Sequence, residues 1–226
     1  MKLGAHVSVS GGLSKSIDRA LDIGAEAIQI FASSPRAWRF NHPKQEEVEL
    51  FKSKTKESGI SPCYIHGSYL VNIGGSEDQL QKSIDCLVNN MVAAGEIGAE
   101  GVIFHGGSHK GKGFEAVLDQ AANCLLTVLE QSPDNVWLCI ENSAGMGSHI
   151  GSSFQEIGQI LNAVNHPNLK VCLDTEHCFA AGYNLAIPDE LDQVMSEFEK
   201  EIGIDKLVAV HANDAKVELG SGVDRH

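Results

Sequence analysis

A closed (β/α)8 barrel of the α/β class, with about seven of its eight units in these 226 residues, is the fold that this sequence predicts. Three observations predict it. Short apolar runs alternate with amphipathic stretches along the whole chain, the pattern of a parallel sheet covered by helices. There is no linker or low-complexity tract, so residues 1–226 read as one domain. Five of the runs end in a histidine or a carboxylate: His66, His105, Glu141, Asp174 and His211. An open sheet would spread five strand ends over about 20 Å at roughly 4.8 Å per strand. A closed barrel gathers them on its carboxyl-end face.

The strands read as residues 2–7, 25–32, 61–66, 101–105, 136–141, 169–174 and 207–211. Each is a short run rich in Val, Ile, Leu or Ala. The helices between them read as 12–23, 44–58, 76–97, 114–130, 153–165 and 188–202. The long one carries Leu80, Ile84, Leu87, Val88, Met91 and Val92 at helical spacing. Ser76 before Glu77 and Asp78, and Ser152-Ser153 before Gln155 and Glu156, supply N-caps. The eighth strand is expected to be missing, which would leave the barrel open between strands one and seven.

Composition narrows the function classes. No apolar stretch approaches the length of a membrane span, and the start of the chain has no signal-peptide character. The six cysteines include no C-x-x-C pair and read as reduced, buried thiols in a cytoplasmic protein. Net charge is −13, which opposes nucleic-acid binding unless divalent cations concentrate positive charge at one mouth. A single mouth and no amphipathic extension point to a monomer.

The chemistry lies at the strand ends. One histidine at a strand end is ordinarily a hydrogen-bonded core residue. His66, His105 and His211 share that position with Glu141 and Asp174, and a buried carboxylate is costly without a partner. A ring of imidazoles and carboxylates in an apolar cup is a metal site first. Asp224 and His226 have i, i+2 spacing, so in an extended segment both side chains face one way and form a further ligand set with His177. Mixed imidazole and carboxylate ligation without thiolate suits zinc, with manganese as the alternative. Ions sharing a carboxylate suit phosphoryl hydrolysis. His6 and His109 are placed near the mouth, and His42 and His166, each before a proline, in surface turns.

Six blocks in order carry a resemblance. They are His66-Gly67-Ser68-Tyr69-Leu70-Val71-Asn72-Ile73-Gly74, Phe104-His105-Gly106-Gly107-Ser108-His109 and Glu141-Asn142-Ser143-Ala144-Gly145. Asp174-Thr175-Glu176-His177-Cys178-Phe179-Ala180-Ala181-Gly182-Tyr183, His211-Ala212-Asn213-Asp214-Ala215-Lys216 and Val223-Asp224-Arg225-His226 follow. With these the chain resembles the endonuclease IV family, zinc-dependent apurinic/apyrimidinic endonucleases with a TIM-barrel fold. The resemblance implies three Zn2+ ions. Glu141, the catalytic residue, would bridge two; His66 and His105 would complete the first, Asp174 and His211 the second, and His177, Asp224 and His226 would hold the third. It implies attack by zinc hydroxide on the phosphate 5′ to an abasic site in double-stranded DNA, leaving a 3′-hydroxyl and a 5′-deoxyribose phosphate. Arg36, Tyr69 and Leu70 would be the DNA-binding residues that enter the minor groove. Gly106 replaces the family's proline, and the family's ninth ligand, a glutamate on the eighth strand, has no counterpart here. Two other readings stand beside this one: a metal-dependent sugar isomerase or epimerase on a related barrel, and an inactive fragment that binds abasic DNA.

Overall fold

The structure is a computed structural model covering residues 1–226. Seven strands form one parallel sheet in sequence order: β1 (Gly4–His6), β2 (Ala27–Ile30), β3 (Cys63–His66), β4 (Gly101–His105), β5 (Trp137–Glu141), β6 (Leu169–Asp174) and β7 (Leu207–His211). Helices α1 (Lys15–Asp22), α2 (Gln45–Ser58), α3 (Glu77–Ile97), α4 (Leu118–Glu130) and α5 (Phe154–Val164) each link consecutive strands. Two helices, α6 (Thr175–Ala181) and α7 (Pro188–Glu201), lie between β6 and β7.

Two expectations about helices need correction. Residues 114–117 are a turn and not the start of α4, because Val117 N–H bonds back to the Phe114 carbonyl at 2.9 Å before the helix begins. Residues 175–181 form α6, a helix absent from the sequence reading. Asp174 caps this short helix by accepting the His177 N–H at 3.0 Å, and Gly182 ends it in a left-handed conformation at φ 106°. Seven residues carry too little periodicity to announce a helix.

The sheet curls into a barrel. Laid flat, β2 and β7 would stand about 24 Å apart across five strand spacings of roughly 4.8 Å. Instead His211 Nε2 on β7 meets Gln29 Oε1 on β2 at 2.8 Å, and the Tyr64 hydroxyl on β3 donates to the Val208 carbonyl at 3.2 Å. Strands β1 and β7 do not pair with each other, so the cylinder has one open seam.

Register explains why the polar residues converge. Tyr64, Ile103, Cys139 and Cys172 form a buried cluster inside the barrel, with Ala209 packed against it. Two positions further along each strand, on the same face, stand His66, His105, Glu141, Asp174 and His211. The polar set is thus one interior layer above an apolar layer. Along the ladder His105 pairs with Glu141 and Asp174 pairs with His211.

The second apolar compartment lies between strands and helices and holds 44 buried residues. Phe198 of α7 belongs to it, fully buried and edge-on to Phe154 with ring centroids 5.2 Å apart. Phe198→Ala should cost about 3–5 kcal/mol of unfolding free energy, since the transfer loss and the cavity add. Urea titration would read this as a lower midpoint at unchanged slope. No helix is long and apolar enough to cross a membrane, and all six cysteines are free and buried.

Candidate metal centre

Three groups of potential metal donors lie at the carboxyl-end mouth: His66, His105 and Glu141; Glu141, Asp174 and His211; and Glu176, His177, Asp224 and His226. Within each group the donor atoms lie within 4.8 Å of one another. All eight residues singled out from the sequence as ligands are therefore brought together in the structure. Glu176 joins them and was not singled out.

Glu141 is the hub. Its side chain is 2 % exposed. Oε2 faces His66 Nε2 at 3.2 Å and His105 Nε2 at 3.3 Å, and Oε1 faces His211 Nδ1 at 2.9 Å. Burial alone would push its pKa up, but the surrounding imidazoles outweigh burial and hold the carboxyl well below its usual range.

The imidazoles are oriented from behind. A carbonyl oxygen only accepts, so a ring nitrogen against one carries the proton and leaves the other nitrogen's lone pair free. His66 Nδ1 donates to the Gly67 carbonyl at 2.8 Å, and His177 Nδ1 to the Asn142 carbonyl at 2.8 Å. His66 Nε2 then points at Glu141, and His177 Nε2 at Asp224 Oδ2, 3.4 Å away. A ring held on a backbone carbonyl with its second nitrogen turned to a carboxylate cluster is the usual setting of a metal-binding histidine. His211 is held by a side chain instead: its Nε2 meets the Gln29 amide oxygen Oε1 while Nδ1 faces Glu141. The Gln29 amide in turn reaches His6 Nδ1 at 3.0 Å. His6 thus touches the centre through Gln29, a residue that sequence reasoning missed.

Electrostatics divide the histidines. Burial brings His105 down to about 4, against the pull of Glu141. His177 rises to about 9: burial opposes a proton there, but Asp224, Asp174 and Glu141 together favour it more. His211 is also raised, with Glu141 and Asp174 overcoming burial. A field that favours a proton at these nitrogens favours a metal cation in its place.

The donor set fits divalent metal on a further observation. Glu176 Oε2 is one of two buried side-chain polar atoms in the protein without a hydrogen-bond partner, and it faces the third group. Orphaned buried carboxylate oxygen is rare, and a cation would satisfy it.

Supporting residues surround the donors. Asn142 Nδ2 donates to the Asp174 carbonyl at 3.1 Å, and Asn213 Nδ2 to Asp174 Oδ2 at 2.6 Å. Asn142 follows Glu141 directly and Asn213 lies two residues after His211; Asn142 fixes the Asp174 backbone and Asn213 its carboxylate, and this spacing was their only signal in the sequence. Arg36 and Tyr69 are exposed on the rim and Leu70 is half-buried beside them. Tyr69 stands edge-on to His66 and His105, with ring centroids at 5.7 and 6.0 Å. Its N–H and the Ser68 hydroxyl both donate to the Pro35 carbonyl, at 2.9 and 2.8 Å, tying the Arg36 loop to the Tyr69 loop. His42 is exposed in an irregular loop rather than a turn, and His166 is half-buried at the start of a turn that the Leu169 N–H closes on its carbonyl at 3.1 Å.

Comparison with known proteins agrees with this architecture. The family model described as xylose isomerase-like TIM barrel matches residues 17–226. A probable endonuclease 4 of Halothermothrix orenii is 39 % identical over 228 aligned positions, covering all of this chain and 82 % of that protein. The crystal structure of endonuclease IV from Thermus thermophilus superposes with a TM-score of 0.90 at 34 % identity, covering 100 % of this chain and 81 % of that one. A D-tagatose 3-epimerase-like protein superposes with a TM-score of 0.72 at 17 % identity, covering 94 % of this chain and 76 % of that one, a likeness of fold alone. Family model, sequence identity and superposition agree, and this chain belongs to the endonuclease IV family of xylose isomerase-like TIM barrels.

Proposed function

We propose that this protein is a DNA-repair endonuclease that hydrolyses the phosphodiester 5′ to abasic sites in double-stranded DNA, leaving a 3′-hydroxyl and a 5′-deoxyribose phosphate. The observation that carries this reading is the set of three adjoining donor groups, two of which share Glu141. In this reading His66, His105 and Glu141 hold one divalent ion, Glu141, Asp174 and His211 a second, and His177, Asp224 and His226 a third, with zinc the first choice for imidazole-rich sites. When bound, such ions supply Lewis acidity, lowering the pKa of a bound water and offsetting charge on the attacking and leaving oxygens of a phosphoryl transfer.

The chain's own residues do the rest. Glu141, shared by two groups, would be a ligand common to both inner ions. Gln29 and the Gly67 and Asn142 carbonyls keep the imidazole lone pairs aimed inward. Exposed Arg36, Lys110, Lys112, Lys216 and Arg225 stand on loops at the carboxyl ends of β2, β4 and β7, where a phosphate backbone would run. Tyr69 and Leu70 rise beside the metal groups, positioned to fill the space left by an extruded nucleotide. Extrusion is cheapest at a damaged site, so such a rim selects lesions.

The test is strand nicking of a duplex bearing one abasic-site analogue by metal-loaded protein. Nicking on the 5′ side, absent on an undamaged duplex, is the expected result. Conversion of ketohexoses without nicking would move the site to sugar isomerisation. For the rim, Tyr69→Ala should weaken binding to the abasic duplex by about tenfold or more, in line with loss of one stacking contact. Metal content should be unchanged. Equal loss of metal and of DNA affinity would make Tyr69 a packing residue of the centre.

A further inference from the structure

Glu176 is the second residue of α6 and is fully buried. Its Oε1 accepts the Arg225 N–H at 3.0 Å. Its Oε2 has no hydrogen-bond partner and stands 4.0 Å from both His177 Nε2 and His226 Nδ1. Asp224 completes the group, with Oδ2 3.4 Å from His177 Nε2 and Oδ1 3.4 Å from His226 Nδ1. Four donors at bond lengths of about 2.0–2.1 Å around a tetrahedral ion stand roughly 3.3–3.4 Å apart. The separations just given, 3.4–4.0 Å, exceed that by at most about 0.7 Å, and every donor in the group lies within 4.8 Å of the others, with Glu176 further from both imidazoles than Asp224.

From this geometry we infer that Glu176 is a fourth protein ligand of the outer metal site, beside His177, His226 and Asp224. The inference rests on the metal reading proposed above and adds to it. Two carboxylates neutralise a dication, which removes the cost of holding Glu176 and Asp224 side by side. The outer ion would staple the segment carrying Asp224 and His226 onto α6. The backbone already prepares this contact: the Arg225 N–H is taken by Glu176, and the Arg225 carbonyl accepts the Lys216 N–H at 3.0 Å.

The test is a crystal structure of the zinc-loaded chain with anomalous scattering at the zinc edge, beside metal counts on Glu176→Gln. The substitution keeps an oxygen for the Arg225 N–H and removes the charge. The expected result is an outer peak with Glu176 Oε2 about 2.0–2.2 Å from it. In a graded chelator series Glu176→Gln should lose one ion per chain at a concentration that leaves the native protein at three, a weakening of about tenfold or more. An outer peak with Oε2 beyond about 3 Å, or a native-like third ion in Glu176→Gln, overturns the assignment of Glu176 and leaves the other three ligands standing. No peak among the four side chains overturns the outer site itself. The structure of the native chain decides the matter even if the variant does not fold.

Discussion

Glu141→Gln should abolish nicking, with a loss of at least about 10³-fold, while the protein stays folded. Removing a group that merely orients a metal ligand lowers activity or affinity by about 10–100-fold. Glu141 stands in two donor groups at once, so its loss weakens both inner sites together. Glutamine fills the same volume, so the buried apolar layer formed by Tyr64, Ile103, Cys139 and Cys172 has no reason to rearrange. The measurement is nicking rate together with metal per chain. Metal content should fall by up to two ions, and the outer ion, whose donors come from α6 and the 224–226 segment, should remain. Near-native nicking by this variant would defeat the metal assignment of the inner groups.

Stripping the divalent ions with a chelator should lower the melting temperature substantially. A ligand that binds only the native state at a hundred times its dissociation constant contributes about 2.7 kcal/mol. A chain of this size shifts by roughly 2–4 °C per kcal/mol, so each occupied site should account for about 5–10 °C. The physical reason is local. Without cations, the carboxylates of Glu141, Asp174, Glu176 and Asp224 crowd one mouth with the surrounding imidazoles, and the Glu176 carboxylate has an oxygen with no partner. Re-addition of zinc should restore the melt. A melting temperature indifferent to chelator would mean that the groups balance one another through hydrogen bonds alone.

The alternation of seven strands with helices, and the residue that closes each strand, can be read from the chain alone. Both are local: apolar runs of strand length and helical spacing are visible in any window, and a histidine or carboxylate closing a buried strand stands out against it. The strand ends at His66, His105, Glu141, Asp174 and His211 agree with the structure to the residue. The candidate donors were legible because each closes a strand or sits within a few residues of one, save Asp224 and His226, which their i, i+2 spacing marked out.

Other features depend on contacts between distant parts of the chain. The ladder between β6 and β7 slips at Val171/Cys172, so that Cys172 faces Ala209 and Asp174 faces His211. In a regular ladder starting from Val171 and Leu207, Asp174 would face Val210, and His211 would point to the other side of the sheet. No pattern in Leu207–His211 announces this bulge; it follows from how β7 must lie against its neighbour to close the mouth. Gln29 reads as one polar residue in an apolar strand, and only barrel curvature carries it across to His211. Glu176 reads as one acidic residue between the candidate ligands Asp174 and His177, with no helix announced around it. Its burial against His177 and His226 depends on the 224–226 segment folding back over α6, a contact between residues nearly fifty positions apart. Sequence reports what each strand end offers; the closing of the barrel decides which of those groups share one small volume.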